Sequence, residues 1–131
     1  MIGLDSNIII RLLVQDDPAQ SRIAAELLKD RLTIDQPGFV SVVAIAEIAW
    51  VLGRIYRFPQ RAIADAMEEL LGNEALVVDR EEAVFDAVSK VRLGLGSFGD
   101  ALIGALNAEA GCERTLSFDR GALNLPGFEH P

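Results

Sequence analysis

Short apolar runs alternate along the 131 residues with longer stretches of helical periodicity, and no hairpin motif separates two of these runs. The runs are 1–4, 75–78 and 114–118, with a weaker one at 32–34. Pro37-Gly38 is interpreted as a chain break, and two helices often separate successive strands. This alternation predicts an α/β fold in which a small parallel sheet is flanked by helices on both faces.

Capping residues set the bounds of the predicted helices. Asp17 and Pro18 are typical of an N-cap and a first helical residue, and Ser41 can cap a long helix. Asp79 with Glu82 has the spacing of a capping box. The predicted helices are 8–14, one from Pro18, 42–56, 59–71, 80–93 and one from Ser97 or Phe98 to Gly111. After the strand at 114–118 we expect only a turn and a short tail.

The composition narrows the chemistry. A chain of this length is expected to form one domain, and 50% of its residues are hydrophobic, as in a globular protein. Cys112 is the only cysteine, which excludes an intramolecular disulfide and a cysteine-based zinc site. His130 is the only histidine and lies one residue from the end, which argues against Ser-His-Asp or Cys-His catalysis. The chemistry left to this chain is that of carboxylates.

The charge balance is acidic, with 12 basic and 20 acidic residues and a formal net charge of −8. This sign argues against a protein that coats nucleic acid without sequence preference. A metal bound among carboxylates inverts the local field, so an acidic chain can still act on phosphate. We find no signal-peptide pattern at the N-terminus, and the apolar stretch 39–53 is too short to span a bilayer. A cytoplasmic location without membrane association is therefore expected.

Four carboxylates occupy positions that suggest a common site. Glu47 lies in a long apolar helix, where an ionised group needs water, a partner such as Arg54, or a cation. Asp5 and Asp119 follow the first and last predicted strands, which should share one sheet edge, and Asp100 begins a helix on that edge. Each aspartate also has an ordinary interpretation as a cap or turn residue. A cluster of like charges is stable only around a cation, and oxygen ligands suit Mg²⁺ or Mn²⁺.

These residues carry a resemblance to a known family. The order Leu4-Asp5-Ser6-Asn7, then Glu47, then Gly99-Asp100-Ala101-Leu102-Ile103, then Leu116-Ser117-Phe118-Asp119 resembles the PIN-domain nucleases, and most of all the VapC-type toxins. The resemblance covers essentially the whole chain, so residues 1–131 are expected to form one PIN-like domain. It implies that Asp5, Glu47, Asp100 and Asp119 are catalytic and bind one or two Mg²⁺ or Mn²⁺ ions. It also implies that Asn7 and Ser117 support them by hydrogen bonds.

The resemblance implies a metal-dependent endoribonuclease toxin of a type II toxin–antitoxin system, which hydrolyses RNA phosphodiester bonds by in-line attack of water. The implied partners are the RNA substrate, a second copy in a homodimer, and a cognate antitoxin whose C-terminal segment covers the active site. The acidic charge of the chain suits a basic antitoxin segment. Candidate residues for holding RNA by local positive charge are Arg11, Arg54, Arg57 and Arg120.

Other functions were weighed against this one. A PIN nuclease outside a toxin pair, working in RNA processing or on DNA ends, has the same site, and a PIN fold without catalysis is a binding module. The run 94–99 has GxGxxG spacing but follows a predicted helix, and Asp100 would lie beside the pyrophosphate, so dinucleotide binding is disfavoured. A phosphoacceptor receiver domain needs a lysine after a late strand, whereas Lys29 and Lys90 lie in predicted helices.

Overall fold

Three short parallel strands form the central sheet of the computed structural model, which describes residues 1–131. They are β1 (Ile2–Gly3), β2 (Gly38–Val40) and β3 (Leu76–Val78), and β2 lies between the other two. Both pairings are parallel, so helical connections carry the chain from one strand to the next. The predicted α/β class with a small parallel sheet is confirmed.

Six α-helices make up most of the chain, close to the predicted bounds. They are α1 (Ser6–Leu13), α2 (Pro18–Glu26), α3 (Val42–Arg54), α4 (Gln60–Leu71), α5 (Glu81–Arg92) and α6 (Phe98–Glu109). A π-helical turn, Leu27–Arg31, extends α2. The predicted N-caps Asp17 and Ser41 are confirmed, since their side chains accept from the backbone of Gln20 and Ala44. None of the helices combines the length and the apolar character needed to cross a membrane.

The central strand β2 was not predicted. The weak strand expected at 32–34 is wrong, because that segment is a turn in which only Leu32 is buried. The strand begins instead at Gly38, where a Cβ would lie 2.6 Å from Leu4 Cδ1, 3.0 Å from Leu32 Cδ1 and 3.1 Å from Leu76 Cδ2. Gly38 is therefore not a chain break. It is the place where three core leucines pack against the backbone of the sheet.

The sheet is buried more completely on one face than on the other. Val40, Leu76 and Val78 are buried and belong to a continuous core of 26 residues. Phe39 and Val77 point the other way along β2 and β3, and Val77 keeps 40% of its surface exposed. The core therefore lies between the first face and the helices, and it fixes where β1 and α3 meet.

The strand predicted at 114–118 does not join the central sheet. β4 (Thr115–Leu116) pairs in parallel with β5 (Phe128–Glu129) in a separate two-stranded sheet. The expectation that the strands before Asp5 and Asp119 share one sheet edge is therefore wrong, and the predicted short tail contains a further strand, β5. The tail returns because a 3₁₀ turn at Ala122–Asn124 and Gly127, at φ +82°, reverse its direction.

Asp79 is not the N-cap of α5. The residue before α5 is Arg80, in the left-handed region at φ 54°, and its side chain makes no capping hydrogen bond. The Asp79 carboxylate instead accepts from the Val42 N–H at 3.0 Å. Asp79 thus joins the end of β3 to the start of α3, a tertiary contact that local sequence spacing does not reveal.

Replacing Gly38 by alanine should destabilise the protein by about 1–3 kcal/mol, because three buried leucine methyls would have to move at once. Urea unfolding followed by circular dichroism measures the change. Gly3→Ala on the neighbouring strand is the matched control, since a Cβ there has nothing within 4 Å. Equal stability of the two variants would show that the core yields easily around β2.

Candidate metal centre

Asp5 lies where the chain leaves β1 and enters α1. Its backbone is extended, at φ −76° and ψ 155°, and its Oδ1 accepts from the Ser6 N–H at 2.7 Å. This is the geometry of a helix N-cap, so the structural interpretation of Asp5 applies. The residue nevertheless remains exposed at the carboxyl end of the strand, where open parallel sheets bind ligands.

Glu47 meets Asp5 through the hydroxyl of Ser6. Ser6 is only 3% exposed, and its Oγ lies 2.7 Å from Glu47 Oε1 and 3.3 Å from Asp5 Oδ1. The single hydroxyl hydrogen favours the shorter bond, so Ser6 donates to Glu47. Glu47 itself is exposed on α3 and has no bond to Arg54, which had been considered as its partner. Ser6 therefore binds two carboxylates that are 42 positions apart in the sequence, Asp5 through its N–H and Glu47 through its hydroxyl.

Asp100 lies in the first turn of α6 and is half-buried. Its backbone N–H donates to the Oγ of the N-cap Ser97 at 3.2 Å, which confirms the predicted start of this helix. The next orphan amide, that of Phe98, donates to Gln60 Oε1 at 2.7 Å. Because both amides are satisfied by other groups, the Asp100 carboxylate is not needed as a cap.

Glu47 and Asp100 each follow in sequence a residue that lines one cleft. Helices α3 and α6 pack against each other. Ala46, next to Glu47, and Gly99, next to Asp100, both line the cleft between them. The two acidic residues are therefore adjacent in sequence to the lining of this cleft, although neither lines it.

Asp119 follows β4 and is exposed. Its Oδ1 accepts from the Gly121 N–H at 2.8 Å and from the Ala122 N–H at 3.3 Å, so it stabilises the turn before β5. Ser117 acts on the backbone of Asp119, whose N–H it accepts at 3.0 Å, and not on the carboxylate. Asn7 lies in the first turn of α1 and forms no hydrogen bond with any of the four carboxylates.

Of the four predicted ligands, the structure brings Asp5 and Glu47 together. No three Asp, Glu, His or Cys side chains are close enough to form a ready-made metal cage. Asp100 and Asp119 therefore remain outside the Asp5–Glu47 pair. Ser6, which binds both members of that pair, was not among the predicted site residues. Its hydroxyl directly after Asp5 is the sequence feature that could have identified it.

Arg11 differs from the other arginines that were considered for RNA binding. Its guanidinium bonds Asp16 at 3.1 Å and Gln20 at 2.7 Å. The pKa of Arg11 is raised above its ordinary value, chiefly by the hydrogen bond to Tyr56. Arg11 is thus engaged within the protein. The other three candidates form no ion pair; they are Arg54, Arg57 and Arg120.

Comparison with known families gives one match. The family model described as PIN domain matches residues 2–127, which is nearly the whole chain. No curated protein matches the sequence. The comparison therefore identifies the family and no individual relative within it.

Ser6→Ala should lower the free energy of unfolding by about 1 kcal/mol, because it removes a hydrogen bond to a charged acceptor from a buried position. Ser6→Thr keeps the hydroxyl and is the matched control. Urea unfolding of these variants, each with and without Glu47→Ala, which removes the accepting oxygens, gives the coupling energy between the two side chains. Strictly additive effects would contradict a direct Ser6–Glu47 bond.

Proposed function

We propose, because the chain belongs to the PIN domain family, that it is a metal-dependent endoribonuclease. PIN domains are typically metal-dependent nucleases, so family membership makes nucleic acid the expected substrate class. One observation carries the proposal to this chain. The Ser6 N–H donates to Asp5 and the Ser6 hydroxyl donates to Glu47, so two carboxylates from separate elements are held by one residue at the carboxyl end of β1.

The donor chemistry fits Mg²⁺ or Mn²⁺. These hard cations prefer oxygen ligands and keep several waters. Asp5 and Glu47 offer carboxylate oxygens that are open to solvent, so water can complete the coordination. Asp100 is the proposed third ligand, and Asp119 is the proposed fourth. When bound, the cation would activate a water molecule and neutralise charge on the phosphodiester.

The residues of the chain hold these oxygens in place beforehand. Ser6 acts as a positioning residue, because its N–H holds Asp5 and its hydroxyl holds Glu47. Asp119 takes both of its backbone hydrogen bonds on Oδ1, which leaves Oδ2 free to act as a ligand. Fixing ligands before the substrate arrives reduces the reorganisation needed during the reaction.

Within this activity we assign the chain to a type II toxin–antitoxin pair of the VapC type. The motifs around Asp5, Asp100 and Asp119 support this assignment. A basic antitoxin segment would complement the net charge of −8, and an arginine in it can pair with the exposed carboxylates. Large apolar side chains that remain exposed on several helices support both an antitoxin interface and a homodimer; examples are Val43, Phe85 and Ile103.

A second candidate is a PIN fold that binds nucleic acid without cutting it. The observation in its favour is that the four carboxylates do not form a metal cage. The two candidates differ in whether a divalent cation binds and whether RNA is cleaved, so separate measurements of metal binding and cleavage decide between them.

Asp100→Asn should reduce RNA cleavage about 100-fold or more, because it removes a charged ligand from the proposed centre. Wild type should cut total RNA into discrete fragments with Mg²⁺ or Mn²⁺ and not with EDTA. Glu109→Gln is the matched control, since Glu109 is an exposed carboxylate at the other end of α6. Equal degradation by wild type and Asp100→Asn would indicate a contaminating nuclease.

Metal binding should also raise the free energy of unfolding. At a Mn²⁺ concentration 100 times the dissociation constant, the wild type should gain about 2.7 kcal/mol. Asp100→Asn should lose most of this gain, whereas its metal-free form should be at least as stable as wild type because a like charge is removed. Urea unfolding with Mn²⁺ or EDTA measures both. Stabilisation without cleavage would favour the binding module.

Two substitutions at Asp119 separate its turn from its proposed metal role. Asp119→Asn keeps an oxygen that can accept from Gly121 and Ala122, so stability should change little while metal-dependent cleavage falls. Asp119→Ala removes the cap as well and should cost about 1 kcal/mol of stability. Full cleavage by Asp119→Asn would assign Asp119 to the turn alone.

A further inference from the structure

A cleft of about 380 Å³ lies between α3 and α6, and its lining includes Ala46 and Gly99, the residues before Glu47 and Asp100. We call it the α3–α6 cleft. Its lining includes Trp50 and Arg54 from α3, Gln60 from the start of α4, and Ser97 and Phe98 from the start of α6. The family assignment gives this cleft no role, and none of the four proposed metal ligands lines it.

Trp50 is the main aromatic surface of the cleft. It is the only tryptophan of the chain, and 61% of its surface is exposed. It lies three positions after Glu47 on α3, so the two side chains share one helix face. Phe98, which is fully buried, closes the cleft from the α6 side. A planar apolar surface is thus open to solvent one helical turn from a proposed metal ligand.

Hydrogen-bond donors surround the indole. Gln60 accepts the Phe98 N–H through Oε1, which leaves its amide NH₂ free to donate. The Ser97 hydroxyl accepts from Asp100 N–H, so its own hydrogen is also free to donate. Arg54 lies four positions after Trp50 and forms no ion pair. The cleft thus offers one flat face, two neutral donors and one cation.

The charge distribution indicates why such a surface is needed. Single-stranded nucleic acid is held by phosphate contacts, by base stacking on aromatic side chains, or by both. In this acidic chain, five of the 12 basic residues are engaged with carboxylates; they are Arg11, Arg80, Lys90, Arg92 and Arg114. Against a net charge of −8, the remaining basic residues, Arg54 among them, supply limited attraction for phosphate, which base stacking can supplement.

We propose that the α3–α6 cleft is a nucleobase subsite that takes an unpaired base next to the scissile phosphate. The base stacks on Trp50, its edge faces Gln60 and Ser97, and Arg54 contacts the adjoining phosphate. The inference rests on the proposed endoribonuclease function, because the base belongs to the RNA substrate of that activity. Arg54, the one cation that lines the cleft, suits a phosphate and repels a basic antitoxin segment.

Fluorescence of Trp50 tests the subsite without requiring cleavage. A short single-stranded RNA is titrated into the full-length Asp100→Asn variant in EDTA, beside an abasic oligomer of the same length and charge. Because Trp50 is the only tryptophan, any quenching reports on the cleft. We expect saturable quenching by RNA and at least about tenfold weaker binding of the abasic oligomer. Equal affinities would overturn the proposal.

Variants of Trp50 give a second readout through anisotropy of labelled RNA. Trp50→Ala should weaken binding about tenfold, whereas Trp50→Phe should retain most of the affinity because a ring remains for stacking. Ile34→Ala, which removes an exposed apolar side chain from the loop before β2, is the matched control and should bind as wild type. If Trp50→Ala and Trp50→Phe lose RNA affinity equally, the base does not stack on Trp50 and the proposal is wrong.

Cleavage kinetics distinguish this inference from the function on which it rests. Trp50→Ala should raise KM about tenfold, leave kcat nearly unchanged, and weaken the base preference beside the cut. Unchanged KM and base preference would overturn the subsite and leave the nuclease standing. Base-dependent quenching without cleavage would support the subsite and overturn the proposed nuclease activity. If Trp50→Ala converts a dimer to a monomer in sedimentation and leaves base dependence unchanged, a second copy occupies the cleft and the proposal is wrong.

Discussion

The hydrogen bond from Ser6 to Glu47 is the contact on which the candidate site depends. It forms only if β1 ends at the right residue, α1 begins immediately, and α3 presents Glu47 at the same height. Fully buried side chains hold these elements in register, among them Ile9 in α1 and Ile45 and Ile48 in α3. The apolar residues flanking Glu47 are therefore part of the site's construction, because their burial determines where the carboxylate emerges.

The order of the central sheet concentrates helix starts at one edge. Both pairings are parallel, so the chain leaves all three strands at the same side of the sheet. Asp5 caps α1, while Ser41 and Asp79 hold the start of α3. Oriented amide groups thus meet polar side chains at this edge, and a charge placed there is fixed by backbone geometry. The strands are only two or three residues long, so the main contribution of the sheet is to place these helix starts side by side.

Local chemistry explains what the sequence predicted well. Asp17, Ser41 and Ser97 cap the helices that they were expected to cap, because a capping bond spans only three residues. Asp79 and β2 escaped prediction because their partners are distant in sequence. A glycine at position 38 resembles a break until Leu4, Leu32 and Leu76 are seen to pack on it. The pairing of β4 with β5 is likewise decided by packing and has no local signal. For the site, the spacing of residues singled out the carboxylates, yet only the fold joins Glu47 to Ser6.

An acidic chain that acts on RNA has to separate attraction from catalysis. Carboxylates at the sheet edge repel a phosphodiester until a cation offsets their charge, and the paired arginines elsewhere add little long-range attraction. Contact with the bases avoids this conflict, since an aromatic face binds a base without adding positive charge. A single exposed indole, one turn from Glu47 and beside an unpaired Arg54, concentrates such contact where the phosphate must lie. In the proposed nuclease, Trp50 and the metal centre would answer the same electrostatics: stacking would align a strand that the acidic surface repels, and the bound cation would then act on it.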